Sequence, residues 1–299
     1  MKTATLTALA AAACLMAGSH AASATGSCPA PEKFAEGIAS TDAWEWRLTF
    51  TPSARQMYWA RTDTFWPATR EQATILTSRR TLHGWAAPQV APFSGIHSDM
   101  DPALSPNGRY MVFSSERPRP DGRAALMDLW LVERKGQGWG QPVHLGDAVN
   151  SNGDELYASV DRAGTLYFAS NRGGEFDIYR SERKRNGRYA QAHKVPGLVN
   201  TAARWEFNPE ISPDGRTLLF VRLDFPDSLP DQGYGFGDIY VSRLGAGGFS
   251  EPVNLGPCVN SEWDEFHPTV MWNRNLLFFA KDIGMPSDFY VVPLDLPRR

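Results

Sequence analysis

The chain has 299 residues, 42% of them hydrophobic and 12% aromatic, which is enough apolar surface for a sizeable core. Its formal net charge is −3, with 30 basic and 33 acidic residues mixed along the sequence, so the basic block expected of a nucleic-acid binder is absent. Short helix-forming runs among 26 Gly and 22 Pro exclude a helical bundle and point to short strands joined by tight turns.

The first element is a secretory signal over residues 1–24: Lys2, the small apolar run Ala4–Ala17, and a small-residue cleavage site at Ala22-Ser23-Ala24. An uncleaved anchor is the alternative, although the run is short for a membrane span. The remainder, residues 25–299, is expected to form a single domain in the periplasm or outside the cell, with no membrane span of its own. Cleavage leaves Cys28 and Cys258, a pair that invites a disulfide in an oxidising compartment.

Five copies of one pattern follow. The clearest are DMDPALSPNGRYMVF (99–113) and EFNPEISPDGRTLLF (206–220), each with an acid, Pro three positions later, an Asn-Gly or Asp-Gly turn and an apolar strand. Weaker copies start at Glu45, Glu155 and Glu265, so that Glu45, Asp99, Glu155, Glu206 and Glu265 are separated by 54, 56, 51 and 59 residues. That period, with no helix inside it, predicts four-stranded antiparallel blades of an all-β, five-bladed propeller. In each blade, strand A carries the acid, strands B and C follow, and strand D is short.

The segment after Glu265 holds strands A to C only, whereas PAPEKFAEGIASTDAWEW (29–46) resembles the strand-D-plus-linker segment EPVNLGPCVNSEWDEF (251–266). The N-terminal strand is therefore expected to complete the last blade and close the ring, which leaves no free sheet edge and fits a monomer. A five-residue strand D would rise roughly 17 Å, whereas bonded cysteines need Cα atoms within about 7 Å, so this topology argues against a Cys28–Cys258 bridge.

The motifs SPNG (105–108), FASNR (168–172), FDIY (176–179), SPDG (212–215) and GDIY (237–240) resemble the TolB-like (WD-like) β-propeller repeats of bacterial envelope proteins. The resemblance covers nearly the whole mature sequence. It implies a propeller acting in the cell envelope, although TolB itself has six blades and an extra N-terminal domain.

The linkers into strand A and the ends of strand B share one face of the disc. The candidate binding residues on that rim are the acids Glu45, Asp99, Glu155, Glu206 and Glu265, and the bases Arg61, Arg117, Arg172, Arg222 and Lys281. They include Trp44, Trp205 and Trp263 beside the acids, and His267 within strand A of blade five. Charges repeated in every blade favour architecture over chemistry. The Trp residues suit stacking on a sugar or peptide and equally suit packing between blades.

The B-to-C loops of blades one, two and four are long and fall on this same face. Asp128, Asp177, Asp238 and Asp288 are expected to bind amides of the loop before strand C, and blade one, lacking this Asp, to have irregular outer strands. His97, Asp99 and Asp101 alternate as possible metal ligands, but the segment also reads as a linker, and no metal or other cofactor is expected. No nucleophile elbow, zincin helix or phosphate loop is present, so no catalytic residue is assigned. The expected function is a non-catalytic module binding an envelope protein, peptide or glycan. The alternative is a glycosidase using two rim carboxylates.

Overall fold

The computed structural model describes residues 28–64, 72–223, 234–283 and 286–297, so the signal segment and most of the long loops of blades one and four lie outside it. The described residues form five small antiparallel sheets and no helix, arranged as a five-bladed propeller. Strands A are Trp44–Phe50, Asp99–Leu104, Glu155–Val160, Trp205–Ile211 and Asp264–Met271, and each pairs with its strand B and then strand C. Strand D is only two residues long, and in blades one, two and four it comes as two such pieces.

Strands B read as continuous apolar runs because both sheet faces are covered by neighbouring blades. The core accordingly splits into five inter-blade layers. Tyr58 and Ile75 meet Met111 and Phe113 between blades one and two, and Val112 and Leu129 meet Leu166 and Phe168 between two and three. Phe278 and Phe289 meet Trp59 and Leu76 where blade five returns to blade one.

Closure is carried by Glu32–Lys33, which pairs antiparallel with Val291 and Tyr290, as the sequence leads one to expect. The strand is thin, and side chains reinforce it. Lys33 Nζ lies 2.8 Å from Asp288, Ser40 Oγ accepts from Phe289 N at 2.9 Å, and Phe34 packs edge-on to Phe278 at 4.9 Å.

The expectation about the cysteines is overturned. Cys28 and Cys258 are bonded, with Cα atoms 5.3 Å apart. Strand length is the reason: a two-residue strand rises roughly 7 Å, so the start of strand D and the linker of the preceding blade stay within reach.

Two further readings change. The strand-C aspartates do not share one role: Asp238 accepts from Tyr234 N and Gly235 N, as expected. Asp128 instead takes a bidentate Arg119, Asp177 pairs with Lys194, and Asp288 pairs with Lys33. Blade one is also regular, with Thr74–Thr81 in unbroken register against strand B.

Candidate functional site

The five rim acids are completely buried. Four of them reach back to the linker just before strand A. Glu45 accepts from Thr41 Oγ1 at 2.6 Å, Glu155 from Ser151 Oγ at 2.6 Å, Glu206 from Thr201 Oγ1 at 2.8 Å and Glu265 from Ser261 Oγ at 2.5 Å. The backbone N–H of the same Ser or Thr donates to the second carboxylate oxygen. Asp99 is shorter and takes Ser115 Oγ at 2.6 Å and Arg117 at 2.7 Å instead.

Each acid thus staples a linker to its strand. Burial pushes Glu45, Glu206 and Glu265 up to about 7, and Glu155 upward too, against the pull of these donors.

The paired bases complete the staple. Arg172 lies 3.1 Å from Glu155, Arg222 3.1 Å from Glu206 and Lys281 3.6 Å from Glu265, and Arg61 faces Glu45 across the A–B ladder. Arg117, Arg172 and Arg222 also donate to the carbonyls of Phe93, Val149 and Val199 in the linkers. Their guanidinium groups lie over Phe113, Phe168 and Phe220 of the same strand B. This explains the Phe-x-Ser-Asn-Arg motif: Phe168 carries the cation, and Ser170 bridges Arg172 to Glu155.

A second repeated device escaped the sequence reading. Asn150, Asn200 and Asn260 each hold both the N–H and the C=O of a strand-C residue: Leu129, Ile178 and Ile239. The signal was the recurring Val-Asn-Ser/Thr before each staple.

His267 is not a rim residue. It belongs to a column two positions after each acid: Arg47, Asp101, Tyr157, Asn208 and His267, with φ of 33°, 52°, 59°, 49° and 54°. Left-handed backbone costs an ordinary residue roughly 1–2 kcal/mol, and here it accompanies a β-bulge in every strand A.

Members of the column touch one another. Asn208 Nδ2 lies 3.2 Å from His267 Nδ1, and His267 N donates to Asn208 Oδ1 at 3.1 Å. Asp101 Oδ1 is 3.9 Å from the same imidazole, and Arg47 donates to Pro209 O and, at 2.7 Å, to Glu210. Burial drives His267 down to about 3 and Asp101 up to about 7. The column is sealed on the rim side by Trp46, Phe207 and Phe266, whose rings pack around Tyr157 and His267. Among the described residues, no group of three or more His, Cys, Asp or Glu could hold a metal ion.

What remains open on the rim face is aromatic. Trp44 is half-buried and stacks on Trp46, and Trp205 is held edge-on to Phe176 with its indole N–H on Glu175. Trp263 is 44% exposed and lies with Tyr234 (46%), Phe236 (53%) and Ile283 (39%) at the seam of blades four and five. Asp264 fixes this cluster by accepting from Phe236 N at 3.0 Å and Gly237 N at 2.8 Å, opposite Asp282, the neighbour of Ile283. Gly235 lies directly on the Trp263 carbonyl, where a side chain would collide.

No protein-family profile and no curated protein matches the chain. Similar solved structures include BT0996 in complex with RGII, at 9% identity and TM-score 0.59 over 91% of this chain and 94% of that one. A "putative TolB" from Agrobacterium tumefaciens is similar at 16% identity and TM-score 0.50, over 81% of this chain and 71% of that one. At such identities the likeness establishes the propeller fold and nothing finer.

Proposed function

We propose that this chain is a non-catalytic binding module of the cell envelope that holds a protein or peptide segment on the aromatic shelf of its rim face. One contrast carries the reading: all five rim carboxylates are sealed into linker staples, whereas Tyr234, Phe236, Trp263 and Ile283 stay exposed on a fixed backbone. A clustered apolar patch of this kind suits a partner's side chains.

The disulfide supports an oxidising compartment, and with it removal of residues 1–24 on export. The glycosidase alternative needs two carboxylates that can reach a sugar, and the ring acids have their oxygens committed to Ser, Thr and Arg.

The test is capture from envelope extract by the immobilised mature chain, compared with a Phe236→Ala/Trp263→Ala variant and with Arg216→Gln on the opposite face. The reading expects a defined partner that the double variant loses and Arg216→Gln retains. Equal capture by all three proteins, or turnover of any member of a glycan panel, would sink it.

A further inference from the structure

The opposite face of the disc, formed by the A–B turns and C–D hairpins, has a different character. Strands A open there into a funnel of about 590 Å³ on the propeller axis. Its floor is the Arg47–Glu210 pair, with Ser159 Oγ 3.3 Å from the carboxylate. Its walls add hydroxyls from the other four blades, among them Thr49, Ser105, Ser212 and Thr269, interleaved with Phe50 and Trp272.

Around the mouth, every A–B turn carries one exposed arginine: Arg55, Arg109, Arg162, Arg216 and Arg274. Among the described residues none of the five forms a side-chain ion pair. The C–D hairpins add Arg79 and Arg80, Arg134 and Lys135, the run from Arg183 to Arg188, and Arg243. Against these stand only Glu133, Glu182 and Asp214 as exposed acids of the same turns, Asp161 being buried.

We infer that this face is a second binding site, for the end of an anionic polysaccharide whose sugar carboxylates lie on the arginine ring and whose terminal sugar enters the funnel. Three features select that chemistry. Planar guanidinium groups match carboxylates, and their circular spacing serves a chain bearing several of them. The funnel offers hydroxyls and two half-buried rings, the complement of a sugar's own hydroxyls and apolar faces. The Glu210 carboxylate at the floor repels a peptide's terminal carboxylate, yet accepts from a sugar hydroxyl. The site is independent of the aromatic shelf and stands or falls without it.

The experiment is titration calorimetry of the disulfide-bonded mature chain with alginate oligosaccharide, its carboxyl-reduced form, polyglutamate, duplex DNA and phosphatidylglycerol vesicles. The expected result is saturable binding of the alginate oligosaccharide alone. Arg109→Gln/Arg162→Gln/Arg216→Gln should weaken it by about tenfold or more, with an unchanged melting temperature because these side chains are exposed. Trp272→Ala should weaken it while leaving its salt dependence intact. Equal binding of the carboxyl-reduced sugar overturns the role of the arginines. Equal binding of polyglutamate, DNA or vesicles overturns the glycan assignment, and failure to bind the oligosaccharide at all overturns the site.

Discussion

The two faces of this propeller are built from the same repeat but use their charges in opposite ways. On the rim face, acids and bases of each blade meet inside the protein, with Arg222 and Glu206 both buried and 3.1 Å apart. On the turn face, the arginines project into solvent with few acids among them. Charge that is paired and desolvated holds architecture, while charge that is exposed and unopposed is available to a partner. The near-neutral total therefore conceals a polarised molecule.

Removing one arginine from each face tests this contrast most severely. Arg222→Met leaves Glu206 buried beside its linker without its cation, and should cost about 3–5 kcal/mol in denaturant unfolding. Arg216→Gln should stay within about 0.5 kcal/mol of wild type. If both variants unfold alike, the rim charges are not the scaffold.

Next in size is the bridge across the closing strand. Cys258→Ser should cost about 2–4 kcal/mol, because the bond closes a chain of 230 residues behind a two-residue strand. Wild type treated with reductant should drop to the same stability. A drop confined to the variant would assign the loss to local packing instead.

Acidity should act on the rim and the axis with opposite sign. Glu45, Glu206 and Glu265 titrate at about 7 in the fold against 4.5 unfolded, and Asp101 at about 7 against 3.8. The folded state then holds more protons, so their contribution is greatest in acid and declines as pH rises towards 7. His267, at about 3 against 6.5, does the reverse, and its contribution is lost as pH falls from 6.5 to 3. The melting temperature should rise on acidification from pH 7 to 4.5 and fall from 4.5 to 3. His267→Gln should remove its share of that lower fall, and an unchanged profile would show that the imidazole is not held neutral.

Blade count, ring closure and the rim acids were legible in the sequence because each repeats, and a repeat reports on architecture. The disulfide was not, since strand D is shorter in space than its apolar letters suggest. The axial column was visible in principle as Arg47, Asp101, Tyr157, Asn208 and His267, five dissimilar residues at one repeat position. Without the bulge, nothing in the pattern says that this position points to the axis. The arginine ring was hidden differently. Arg109 and Arg216 read as parts of an Asn-Gly or Asp-Gly turn, and only the topology puts every such turn on one face.

The smallest expected effect lies in the wall between the faces. Four positions after each acid, a side chain ties one strand A to the backbone of the next. Thr49 Oγ1 accepts from Leu104 N at 3.2 Å, Ser159 Oγ from Ile211 N at 3.0 Å and Glu210 from Val270 N at 3.1 Å. Thr269 Oγ1 donates to Leu48 O at 2.6 Å and closes the circle. Blade two has Ala103 at this position, so the tie to blade three is missing. Ala103→Ser should supply it through Val160 N and raise stability by about 0.5–1.5 kcal/mol, the usual net worth of one hydrogen bond. The added hydroxyl also lines the funnel, so the variant should bind the anionic sugar at least as well while leaving the aromatic shelf untouched. A loss of stability would mean that Val160 is already satisfied and that the ring of ties stops at blade two by design.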